Sequence, residues 1–101
     1  MLTGIPDRPT AVSPDVGCDL EQGVIQQSLP EKELEQSDLD CLNLNIAVPS
    51  STTASSKLPV FVYIHGGGYA IGANSWPQFD SARFVRLSVE KKLPVVTVFI
   101  K

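Results

Sequence analysis

Three segments of the chain have the hydrophobic patterns of β-strands. In residues 40–49, DCLNLNIAVP, leucine and isoleucine alternate with asparagine, which is the two-residue period of a strand, and Pro49 ends it. Residues 58–65 (LPVFVYIH) and 93–100 (LPVVTVFI) are nearly continuous apolar runs rich in β-branched side chains. Such runs are typical of strands that are buried on both faces of a sheet.

The residues between the last two strands predict an amphipathic helix. We expect it to begin near Asp80 or Ser81, because either side chain can cap the first turn. Its apolar positions form one broad stripe made of Ala82, Phe84, Val85, Leu87 and Val89. Strand, loop, helix and strand together form a βαβ unit, so the last two strands should be parallel neighbours or near neighbours.

The rest of the chain predicts less regular structure. Four prolines interrupt any long helix in residues 1–37, so this segment is expected to be irregular, with at most one helical turn in residues 30–38. Residues 38–101 form the predicted α/β domain. Two strands buried on both faces need helices on both sides, and the sequence offers one good helix. We therefore expect the front part of a larger sheet, with the last strand at an uncovered edge through which copies can self-associate.

Composition excludes several classes of function. The 101 residues are 43% hydrophobic and 19% charged with a net charge of −3, which indicates a globular chain and argues against a nucleic-acid surface. No apolar run is long enough to span a bilayer, and residues 1–15 lack the apolar core of a signal peptide. Cys18 and Cys41 have no metal-binding spacing and are either buried thiols or one disulfide. No metal or cofactor is expected.

The stretch YIHGGGYAIG (63–72) is the strongest candidate site. As a dinucleotide fingerprint it fails, because Gly66 and Gly68 fill two glycine positions but the third falls on Ile71. The predicted helix also begins about eight residues after Gly72, too far for its N-terminus to meet a phosphate held by the loop. Consecutive glycines after a buried strand instead favour backbone N–H donors that converge on a developing oxyanion.

Two blocks of the sequence resemble the type-B carboxylesterases, relatives of cholinesterases and of some fungal lipases. DCLNLNIAVP is similar to their E-D-C-L-x-L-N-I motif, and LPVFVYIHGGGYAIG is similar to their strand and oxyanion loop; residues 80–100 continue in register. The likeness covers roughly residues 38–100. It implies a partial α/β-hydrolase fold with the N-terminal strands of the central sheet, the oxyanion loop and one crossover helix.

The resemblance also implies roles for individual residues. Gly67 and Gly68 would supply the oxyanion N–H groups, His65 and Gly66 would shape the loop, and Tyr69 would line the acyl side of the substrate gorge. Cys41 would pair with Cys18. The family acts on small-molecule esters and is mostly secreted.

The departures from the family pattern concern the catalytic groups. Leu39 stands where the motif has an acidic residue, and no G-x-S-x-G nucleophile motif is present; Ser75 in GANSW comes nearest. His65 is the single histidine. We therefore expect a fragment of a serine esterase that is inactive alone, with a non-catalytic interaction module of the same family as the alternative.

Overall fold

The structure is a computed structural model that describes residues 9–14, 16–31 and 33–100. The described residues form two helices and three strands. In chain order they are α1 (Gly17–Val24), β1 (Leu44–Ala47), β2 (Val60–Ile64), α2 (Ser81–Glu90) and β3 (Val96–Ile100). The irregular character expected for residues 1–8 lies outside the described residues.

The three strands form one mixed sheet in the order β1-β3-β2. β2 and β3 are parallel, in a register that pairs Val62 with Val98, which confirms the predicted βαβ unit. β1 joins the other side of β3 in the antiparallel sense, with Ile46 opposite Val98. The prediction that the last strand forms the uncovered edge is therefore wrong. β3 is central because the crossover places it beside β2 and leaves its second side free for β1.

Helix α2 begins where the sequence predicts. The Asp80 carboxylate accepts a hydrogen bond of 2.8 Å from the Arg83 backbone N–H, which satisfies one of the free donors of the first turn. Val85 is the buried residue of the helix. The Phe84 ring stacks on Phe61 of β2 with centroids 4.9 Å apart, so the helix lies against one face of the sheet.

The two faces of the sheet are covered unequally. The face that carries Phe61, Tyr63, Thr97 and Phe99 is packed against α2 and against Phe79 of the loop before it. The opposite face, called here the aliphatic face, consists of Leu44, Ile46, Val60, Val62, Ile64, Val96, Val98 and Ile100. No described helix or strand lies on it. The expectation of burial on both faces is therefore wrong for β2, whose residues are mostly exposed, since a single crossover helix covers a single face.

Helix α1 lies in the segment expected to be irregular. It occupies eight residues between Pro14 and Pro30, a spacing that excludes a long helix but leaves room for two turns. Its Cys18 packs with Ala73 and Trp76 in a small core cluster. The described part of residues 30–38 forms no helical turn. Neither helix has the length and apolar character needed to cross a bilayer, as far as the described residues extend.

Candidate functional site

The glycine loop leaves the sheet at the carboxyl end of β2. Ile64, the last residue of β2, pairs with Ile100, the last residue of β3, so both parallel strands end at the same edge. Ligands of open α/β sheets bind outside the carboxyl ends of the strands, where successive loops diverge. The loop predicted from sequence therefore lies at the sheet edge most suited to a binding site.

Residues 67–71 form a tight turn. The Gly67 carbonyl accepts hydrogen bonds from the backbone N–H groups of Ala70 (3.1 Å) and Ile71 (3.2 Å). The φ angle is 129° at Gly67 and 61° at Gly68, both in the region that favours glycine. A Cβ on Gly67 would overlap the Ile71 carbonyl, whereas a Cβ on Gly68 would meet open space. The turn itself therefore requires glycine most strictly at position 67.

Two backbone N–H donors of the turn, those of Gly67 and Gly68, point away from its internal hydrogen bonds to the Gly67 carbonyl. Neither the Gly67 N–H nor the Gly68 N–H donates to an acceptor within the described ranges. Gly68 is exposed and Gly67 is half-buried, so both can be reached from solvent. Backbone N–H groups without a partner in the chain are available to an acceptor from outside it.

His65 packs into the loop. Its Nδ1 lies 2.8 Å from the Gly66 carbonyl oxygen. Because a carbonyl oxygen only accepts, this hydrogen bond requires the proton on Nδ1. A Cβ on Gly72 would overlap the His65 ring, so Gly72 gives the imidazole its space. The histidine thus contacts the backbone on both sides of the turn.

Tyr69 is fully exposed and has a φ of 62°. A positive φ is unusual for an aromatic residue and costs on the order of 1 kcal/mol. With His65 and Cys41, Tyr69 borders a shallow groove of about 240 Å³. The tight turn after Gly67 holds the ring outward, beside the loop.

Asn74 anchors the loop, a role that the sequence analysis did not predict. It is 2% exposed, and its Nδ2 donates to the Phe99 carbonyl at 3.0 Å and to Asn43 Oδ1 at 3.4 Å. Asn43 in turn donates from Nδ2 to the Cys41 carbonyl at 3.2 Å. This chain of amides fastens the loop to the end of β3 and to the segment before β1. A single asparagine in a polar loop has no periodicity that could have revealed it.

The disulfide predicted between Cys18 and Cys41 is absent, and both thiols are free. Cys18 is turned into the core cluster, where its Sγ accepts a hydrogen bond from Gln22 Nε2 at 3.4 Å. Cys41 instead borders the groove beside the glycine loop. Burial raises the pKa of the Cys18 thiol above its ordinary value of 9.0, with a smaller contribution from the nearby Glu31 carboxylate. The cysteine of α1 is therefore a packed, protonated side chain.

No serine of the loop is presented as a nucleophile. The Oγ atom of Ser75, the serine nearest to the nucleophile pattern, is buried and has no hydrogen-bonding partner among the described residues. In the same part of the chain, no three histidine, cysteine or acidic side chains come together as a metal site. The structure thus brings together the loop, His65 and Asn74, and among the described residues it places no hydroxyl beside the His65 ring.

Comparison with known proteins shows a similarity that extends beyond the two sequence blocks that resemble the carboxylesterases. A family model described as "Carboxylesterase family" matches residues 10–100. The chain is 40% identical over 83 residues to Secreted lipase 1 of Botryotinia fuckeliana, a match that covers 82% of the chain. It is 39% identical over 71 residues (70% of the chain) to Para-nitrobenzyl esterase of Bacillus subtilis. It is 44% identical over 50 residues (50% of the chain) to cAMP-regulated D2 protein of Dictyostelium discoideum. The chain spans between 9% and 14% of the length of these three relatives.

Proposed function

Because the chain belongs to the carboxylesterase family, we propose that its glycine loop is the oxyanion-stabilising element of a carboxylic-ester hydrolase. The two free N–H groups of Gly67 and Gly68 are the observation that carries this proposal. The mixed α/β sheet with a crossover helix supports it, because it is consistent with part of an α/β-hydrolase fold.

The chemical role of the loop follows from where charge develops in ester hydrolysis. Attack on the ester carbonyl converts its oxygen into an oxyanion, and fixed N–H dipoles stabilise that charge more than they stabilise the neutral carbonyl. One such donor is worth about 3–4 kcal/mol of barrier in a serine protease. Gly67 and Gly68 would donate to the oxyanion, while the tight turn and Asn74 hold both donors in place.

His65 has a positioning role in this proposal. Its Nδ1 proton is engaged by the Gly66 carbonyl, and no carboxylate from the described residues is bonded to the ring. A general base in a catalytic triad needs a hydroxyl on one ring nitrogen and an orienting acid on the other. His65 therefore shapes the backbone between β2 and the turn.

The chain carries one part of the catalytic apparatus. It has no G-x-S-x-G segment, and its single histidine belongs to the loop. We expect no ester hydrolysis by this chain alone, since oxyanion donors without a nucleophile and base do not complete acyl transfer. The relatives named as lipase and esterase support ester substrates for the complete enzyme, in which this loop would act.

Anion titration of the isotope-labelled chain tests the proposed donors. Sodium butyrate should shift the amide proton resonances of Gly67 and Gly68 downfield with a dissociation constant on the order of 1 mM. Gly23 on the exposed side of α1 serves as the internal control, and butyramide serves as the neutral ligand. Equal shifts at Gly23, or no shift at either loop glycine, would contradict the proposal.

A hydrolysis assay tests the expected inactivity. The purified chain and a His65→Ala variant should both turn over p-nitrophenyl butyrate at the rate of buffer. Turnover by the wild-type chain that a serine-directed phosphonate abolishes would overturn this expectation. The non-catalytic interaction module, the alternative function, predicts the same inactivity but no selective response of Gly67 and Gly68 to butyrate, so the two assays together distinguish the readings.

A further inference from the structure

The Asn43 side chain joins the glycine loop to other segments of the chain. Its Nδ2 donates to the Pro9 carbonyl at 3.2 Å and to the Cys41 carbonyl at 3.2 Å. Its Oδ1 accepts a hydrogen bond of 3.4 Å from Asn74 Nδ2, which also donates to the Phe99 carbonyl at 3.0 Å. One amide therefore links the N-terminal segment and the segment before β1 to the glycine loop and, through Asn74, to the end of β3.

These hydrogen bonds fix which way the Asn43 amide faces. Its N–H groups are held by two carbonyl oxygens, which only accept, so its own oxygen must face Asn74. Asn74 is 2% exposed and donates to two acceptors. Without the Asn43 oxygen, Asn74 would have to move or leave a buried N–H unpaired, which is costly in the interior.

The segment between Asn74 and the tight turn has little freedom to move. Ala73 is 1% exposed in the core cluster, and Ile71 packs so closely on α1 that a Cβ on Gly17 would lie 3.1 Å from its Cγ2. The Ile71 N–H in turn donates to the Gly67 carbonyl at 3.2 Å. Because closely packed segments transmit displacements, a shift of Asn74 moves the turn that presents the two loop donors.

We propose that Asn43 is a positioning residue of the glycine loop, which acts through Asn74 on the N–H groups of Gly67 and Gly68. The family resemblance assigns Asn43 no role, because it stands at position x of the E-D-C-L-x-L-N-I motif. The alternation of leucine and asparagine in residues 42–45 places its side chain on the packed face of the sheet, beside the loop. The consequence for ester chemistry rests on the proposed function of the loop, whereas the hold on the turn does not.

Amide hydrogen exchange followed by NMR tests the hold on the turn without any ligand. The N–H groups of Ala70 and Ile71 bond to the Gly67 carbonyl, so their exchange reports local opening of the turn. Asn43→Ala should accelerate exchange at both residues at least about threefold. A merely structural role would lower the stability of the whole chain, which accelerates exchange in β3, at Val98, and leaves local opening of the turn unchanged.

Asn45→Ala is the matched control, because Asn45 lies two residues along the same face and its side chain makes no hydrogen bond within the described residues. It should leave exchange at Ala70 and Ile71 within about twofold of the wild-type rate. The double variant of Asn43→Ala and Asn74→Ala should exchange no faster than Asn74→Ala alone, because the first residue acts through the second. Unchanged rates in Asn43→Ala, equal rates in the control, or additive effects in the double variant would each overturn the proposal.

A milder variant decides the question if Asn43→Ala does not fold, as judged by circular dichroism. Asn43→Ser removes the amide oxygen that faces Asn74 and keeps a hydroxyl that can donate to a carbonyl. It should also accelerate exchange at Ala70 and Ile71, and unchanged rates in this variant would overturn the proposal.

Butyrate titration separates the role of Asn43 from the function proposed for the loop. The dissociation constant measured at Gly67 and Gly68 should rise at least about threefold in Asn43→Ala, or in Asn43→Ser where that variant decides. If the wild-type loop does not respond to butyrate, the oxyanion function fails while the exchange rates still decide the role of Asn43. If the wild-type loop binds butyrate and the variant binds it equally well, Asn43 does not position the two donors and the proposal is wrong.

Discussion

Alanine substitution at each of three adjacent glycines should have three different effects on stability. Gly66 has no positive φ, and a Cβ there would meet no other atom within 4 Å. Gly66→Ala should therefore leave the free energy of unfolding unchanged or raise it by about 0.4–1 kcal/mol, because alanine restricts the unfolded chain. Gly68→Ala places a side chain in the left-handed region without a clash and should cost about 1–2 kcal/mol.

Gly67→Ala should be the most damaging of the three. The alanine would adopt an unfavourable φ, which costs on the order of 1–3 kcal/mol. Its Cβ would also overlap the Ile71 carbonyl oxygen, which belongs to the backbone and cannot rotate away. The turn would have to open, with loss of the two hydrogen bonds to the Gly67 carbonyl. We expect a total destabilisation above about 3 kcal/mol.

Urea unfolding followed by tryptophan fluorescence measures this series. Trp76 is the single tryptophan, is 7% exposed and belongs to the cluster behind the loop. The reasoning fails if Gly67→Ala costs no more than Gly68→Ala, or if Gly66→Ala is the most destabilising of the three.

Three further substitutions probe the supports of the site. Asn74→Asp should lower the free energy of unfolding by about 1–3 kcal/mol in urea melts, because it turns a buried donor into an acceptor that faces the Phe99 carbonyl. Asp80→Ala should cost about 1 kcal/mol in the same assay through loss of the N-cap, and Asp80→Asn should cost much less. Burial raises the pKa of Cys18 above 9.0, so the unfolded chain releases the thiol proton first and stability should fall as pH rises above about 9. Cys18→Ser should reduce that fall, measured as the unfolding midpoint at pH 8 and pH 10.

Each of these expectations has an opposing result. A cost below about 0.5 kcal/mol for Asn74→Asp would mean that the amide does not hold the loop. Equal effects of Asp80→Ala and Asp80→Asn would remove the capping argument. If the unfolding midpoint falls equally between pH 8 and pH 10 with and without Cys18, the loss of stability at alkaline pH belongs to Tyr63. Burial raises the pKa of the Tyr63 phenol above its ordinary value of 10.0.

The sequence predicted the features that depend on local pattern. The apolar runs located β2 and β3, and the side chain of Asp80 located the start of α2. A parallel pair followed from the crossover rule, which depends only on the order of elements. The glycine triplet marked the turn at Gly67, since a backbone that must enter the left-handed region excludes most other residues.

The tertiary structure decided what pattern alone leaves open. An apolar run shows that a strand can be buried but does not show which neighbours are present to bury it. No described helix or strand covers the aliphatic face, although the apolar pattern of its residues predicts burial. The central place of β3, the free thiol of Cys18 and the anchoring amide of Asn74 all depend on contacts between residues distant in sequence. Such contacts are fixed by packing in three dimensions, which a local period does not encode.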